Sequence, residues 1–101
     1  VLGTVNFKIM FAKDLSFIQS ILPERYKCEQ REKGVHCYDT TGKGINDDHK
    51  SSDKYDPEYD NQWALICKAI KQNFGERLME IYSQEPQYHS KFTVYLKPSM
   101  Q

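Results

Sequence analysis

Apolar and polar residues alternate most cleanly near the start of the chain. From Thr4 to Ala12, the residues Val5, Phe7, Ile9 and Phe11 take every second place, with Asn6, Lys8 and Met10 between them. A period of two belongs to a strand with one buried face, so the spacing predicts a strand here. Lys13-Asp14 ends it. Asp14 is the expected N-cap of a helix through Leu22, on which Leu15, Ile18, Ile21 and Leu22 share a face. Pro23 stops that helix, because proline has no amide proton and disfavours helical geometry in the residue before it.

Two short alternating arms follow, Tyr26 to Arg31 and Val35 to Thr40, around Glu32-Lys33-Gly34. They predict a hairpin whose register depends on the turn. A two-residue turn at Glu32-Lys33 sets Cys28 opposite Cys37. A turn centred on Lys33-Gly34 suits the positive φ open to glycine and shifts the pairing by two. Both remain open at this level. Residues 41–56 read as a polar, acidic loop with almost nothing to bury, of a length that is usually functional or disordered.

The strongest helical pattern comes next. Asp56 is a natural N-cap, Pro57 suits the first helical position and Glu58 favours the positive helix start. Tyr59, Trp63, Ile66, Cys67, Ile70 and Phe74 then recur on one side, broadened by Leu65 and Ala69. Gly75 is placed to end the helix. Arg77 to Ser83 is ambiguous. Met79 and Ile81 alternate as in a strand, whereas Leu78, Ile81 and Tyr82 also fit a helical turn; a strand is preferred. After a turn at Pro86, Lys91 to Lys97 is a clear strand with Phe92, Val94 and Leu96 on one face.

The expected fold is therefore one α+β domain over residues 1–101. It has a single antiparallel sheet of four or five strands, two helices on one face, and the ferredoxin-like order β-α-β-β-α-β-β. An apolar share of 39% supports a modest core in 101 residues. No apolar run reaches the ~18–20 residues that span a bilayer, so no membrane association is expected. Three cysteines (Cys28, Cys37, Cys67) and no visible secretory leader point to a reducing, intracellular setting.

Formal net charge is zero, but it is unevenly spread. Residues 39–60 hold seven acids and three lysines, so the rest of the chain is net basic. Candidate chemistry is sparse. Cys28, His36, Cys37 and His49 fall in one stretch without the close cysteine pairs of structural zinc sites, and strand neighbours His36 and Cys37 point to opposite faces. No metal or cofactor is expected. Asp14, His36 and His89 are the only candidates for a small nuclease, with His89 read as a surface residue and Asp14 as a cap. No catalytic residue is assigned.

The outward sheet face carries the functional expectation. If Val5, Phe7, Ile9 and Phe11 point inward, Lys8 points outward. Lys27, Arg31, His36, Tyr38, Lys91, Tyr95 and Lys97 join it on the other strands, with Glu29 and Thr93 among them. Cations that neutralise phosphates and rings that stack on bases would suit single-stranded nucleic acid, RNA or DNA. The element order and Lys33-Gly34 opening the third expected strand resemble an RNA-recognition motif, which implies a nucleic-acid platform on the outer face. Val35-His36-Cys37-Tyr38 departs from that family's aromatic pattern, and the first strand offers Lys8 and hides Phe7. The other expectations are a protein-interaction module using the acidic loop or an edge strand, and thirdly a nuclease-like enzyme.

Overall fold

The computed structural model describes residues 11–45 and 62–98. They form helix α1 (Ala12–Ile21), strands β1 (Tyr26–Arg31) and β2 (Gly34–Asp39), helix α2 (Gln62–Phe74), a 3-10 turn (Gly75–Arg77), and strands β3 (Leu78–Ser83) and β4 (Lys91–Leu96). The sheet order is β1-β2-β4-β3, with every pair antiparallel. The fold is thus α+β, with one open four-stranded antiparallel sheet and two helices.

The ferredoxin-like order does not describe these four strands. It reserves the place beside β2 for the first strand of the chain, and here β4 occupies that place. The expected strand over Thr4–Ala12 lies outside the described residues except for its end, where Ala12 already opens α1. The described chain runs helix–hairpin twice. The two hairpins join through β2 and β4, whose pairing is centred on His36 and Thr93.

Both helices press on the same side of the sheet. Ile18 of α1, Leu22 just past its end, and Ile66, Ile70 and Phe74 of α2 are buried with Val35, Cys37, Phe92, Val94 and Leu96. Phe17 meets Phe74 edge to face at 5.7 Å, tying the helices together. Leu65, expected to broaden the apolar face of α2, is instead exposed. Gly75 takes a positive φ of 55° and ends α2, the conformation for which glycine costs least.

Asp14 does not cap α1. The residue before the helix is Phe11, with no side-chain cap, and Asp14 sits in the first turn. Its carboxylate accepts from both terminal nitrogens of Arg77, at 3.1 and 2.7 Å. Arg77 also donates through Nε to the Lys97 carbonyl at 3.1 Å. One guanidinium thereby fastens the start of α1 to the start of β3 and the end of β4.

The hairpin register is settled by contact rather than by turn preference. Arg31 pairs with Gly34 and Cys28 with Cys37, so Glu32-Lys33 is the two-residue connection. Gly34 is needed on β2 itself, because a Cβ there would lie 1.9 Å from the Val94 carbonyl oxygen. The ambiguity over 77–83 also has a structural cause. A bulge between Leu78 and Glu80 breaks the two-residue period. Leu78 and Ile81 therefore both pack toward the core, and their three-residue spacing imitates a helix.

Candidate functional site on the outer sheet face

The face turned away from the helices is built in three cross-strand rows. The first is Lys27, Tyr38 and Lys91; the second is Glu29, His36, Thr93 and Tyr82; the third is Arg31, Gly34, Tyr95 and Glu80. Alternation explains the arrangement, since Val35, Cys37, Phe92 and Val94 between these rows are buried on the helix side; within the outer rows Thr93 is itself buried, covered by its cross-strand neighbours. Lys27, Arg31, His36, Tyr38, Lys91 and Tyr95 therefore share one surface, and Lys97 continues the outward alternation just past β4. Lys8 lies outside the described residues. Tyr82, half exposed, is a fourth ring on this face that the sequence pattern left aside, because the bulge obscured the direction of β3.

Local contacts order this surface. His36 Nδ1 and the Thr93 hydroxyl are hydrogen-bonded at 2.9 Å, and the His36 and Tyr38 rings stack at 6.2 Å with 26° between their planes. Burial, then the Arg31 guanidinium and Lys91, hold the His36 pKa below its ordinary value, with Glu29 opposing them. His36 is thus held toward its neutral form by burial first and by neighbouring cations second. Arg31 is engaged by Glu29, donating from Nε at 3.1 Å and Nη2 at 2.7 Å. Both side chains are about half exposed, and an exposed pair of this kind opens readily.

The other candidates are not gathered. Asp14 is held by Arg77, and His36 is on the outer face. His89 is not a surface residue: it is 4% exposed, stacked on Trp63 with centroids 3.7 Å apart, and hydrogen-bonded through Nδ1 to the Ser83 hydroxyl at 2.9 Å. Its φ of 53° makes it the sole left-handed non-glycine among the described residues. The three nuclease candidates thus occupy separate places. Cys37 points inward and His36 outward, as strand neighbours must; His49 is outside the described residues. Among the described residues no cluster of three or more His, Cys, Asp or Glu side chains could hold a metal.

The start of the polar loop is not empty of packing. Ile45 is fully buried, and its amide donates to the Tyr88 carbonyl. Asp39 anchors this corner, accepting from the Thr41 amide and hydroxyl, the Gly44 amide at 2.6 Å and Arg25 Nε at 2.8 Å. Burial raises the Asp39 pKa, but the Thr41, Gly44 and Arg25 donors outweigh it and bring the carboxyl to about 2. The acidic part of the loop, 46–56, lies outside the described residues, as does the expected helix start at Asp56, Pro57 and Glu58.

No family model, curated protein or solved structure matches the chain. Among the described residues no helix is long and apolar enough to cross a membrane.

Proposed function

We propose that the outer sheet face binds single-stranded nucleic acid, RNA or DNA. The supporting observation is the shared surface of Lys27, Arg31, His36, Tyr38, Lys91, Tyr95 and Lys97, on which cations flank rings. Lys27 and Lys91 stand either side of Tyr38 in one row, so a strand crossing it could set a base on the ring and phosphates on the lysines. Ring–base stacking contributes about 1–3 kcal/mol per base and tolerates any sequence. Glu29 and Glu80 oppose an anion on this face, and Arg31 would exchange Glu29 for a phosphate.

The test is anisotropy of a labelled oligouridylate titrated with the whole chain at several salt concentrations. If Lys27, Arg31, Lys91 and Lys97 each meet a phosphate, the logarithm of affinity falls against the logarithm of salt with a slope of about −2.8. The Lys27→Ala, Lys91→Ala double variant should reduce the size of that slope by about 1.4. Absent binding, or binding indifferent to salt, would refute the reading.

A second reading, docking of a protein along β3, has one observation of its own. Strand β3 ends the described sheet, and Met79 (63% exposed) and Tyr82 (50%) stand out from it. In that case Met79→Lys abolishes partner capture and leaves the oligonucleotide isotherm unchanged. The acidic-loop form of this idea is tested by deleting 47–54, since Gly44 and Ile45 are part of the fold.

A further inference from the structure

We propose that Cys28 and Cys37 are a redox pair that closes to a cross-strand disulfide when the protein meets a low-molecular-weight disulfide such as glutathione disulfide. The two residues are paired directly across β1 and β2, and their Sγ atoms lie 3.4 Å apart. Opposed residues of an antiparallel pair have Cα atoms roughly 4.5–5.5 Å apart, inside the roughly 4.4–6.8 Å that disulfides bridge. Side-chain rotation therefore suffices to join them, with the strands left in place.

Access is unequal, and that sets the order of events. Cys28 is half-buried on β1, at the end of the described sheet, whereas Cys37 is fully buried in its interior. The two thiols are hydrogen-bonded to each other, and either sulfur can donate. That hydrogen bond lowers the Cys28 pKa against an opposing burial effect, and the same bond together with burial pushes Cys37 up. Cys28 is thus the attacking thiolate and Cys37 the resolving thiol.

Cys28 Sγ attacks one sulfur of glutathione disulfide, forming a mixed disulfide and releasing a glutathione thiolate that takes the proton Cys28 has lost. Cys37 Sγ then attacks Cys28 Sγ and gives up its proton, and the second glutathione leaves as a thiolate and accepts it. Two protein thiols are oxidised, and one glutathione disulfide is reduced to two glutathione molecules. The bond closes the β1–β2 hairpin beneath the rows that carry Lys27, Tyr38 and His36. This chemistry is independent of what the outer face binds.

The test uses the whole native chain with excess glutathione disulfide, an acid quench, alkylation of remaining thiols and peptide mapping by mass spectrometry. The expected product has lost two hydrogens, contains a linked Cys28–Cys37 peptide and is alkylated at Cys67 alone. Its unfolding midpoint should rise by several degrees, because the cross-link restricts the unfolded chain. Cys67→Ser should react like the native chain, and Cys37→Ala should stop with one glutathione on Cys28. A stable mixed disulfide in the native chain, a linkage through Cys67, or no reaction would overturn the assignment. The native peptide map decides the matter even if Cys37→Ala fails to fold.

Discussion

Gly34 and Asp39 show how single residues at the two ends of β2 fix its surroundings. At Gly34 a methyl group would meet the Val94 carbonyl at 1.9 Å, so Gly34→Ala should force β2 and β4 apart. A loss of about 2–4 kcal/mol in urea unfolding is expected. At Asp39 the donors outweigh burial and depress the pKa to about 2 from an ordinary 3.8. A depressed carboxyl stabilises the fold above the unfolded-state pKa and loses that contribution as the folded-state group takes up its proton. Stability should therefore fall between about pH 4 and pH 2, and Asp39→Asn should flatten that part of the profile in acid-titrated thermal melts. Neither role was legible beforehand. Asp39 reads as one more acid in an acidic segment, and the donors that distinguish it, Arg25 and Gly44, are brought to it only by the fold. His89 was misread for a similar reason: a polar ring in a turn looks solvent-facing until Trp63 is found stacked on it.

At the scale of elements, most of the pattern was readable. Phe92, Val94 and Leu96 alternate and are buried together; Ile66, Ile70 and Phe74 recur at helical spacing and face the sheet. Periodicity reports burial directly, which is why these elements could be placed. It fails where geometry interrupts the period, as at the Leu78–Glu80 bulge. It also cannot choose between two turns of equal parity, so the β1–β2 register is read only from the structure, where Arg31 pairs with Gly34 and Cys28 with Cys37. The joint between elements was likewise hidden. Arg77 and Asp14 are far apart in sequence, yet their double hydrogen bond ties α1 to β3. Arg77→Ala leaves the mostly buried Asp14 carboxylate without that partner, and a loss of about 2–3 kcal/mol is expected in urea unfolding.

For the molecule as a whole, the class was legible and the strand order was not. Local alternation says which residues face inward, whereas order depends on which strand finds the edge of β2, a contact between distant segments. Because facing direction survives any change of order, the outer surface could be assembled from sequence even though its neighbours were assigned differently. That surface is the centre of the functional proposal, and His36 at its middle is the natural reporter. Burial and, after it, the neighbouring cations hold its pKa down, so a polyanion laid across the face should raise it. The most direct measurement is an NMR titration of the chain with oligouridylate, following the amides and the His36 ring through a pH series. The account predicts shifts concentrated at Lys27, His36, Tyr38, Lys91 and Tyr95, together with a higher His36 pKa in the complex. Shifts confined to the helices or to Met79, with the His36 titration unmoved, would contradict it.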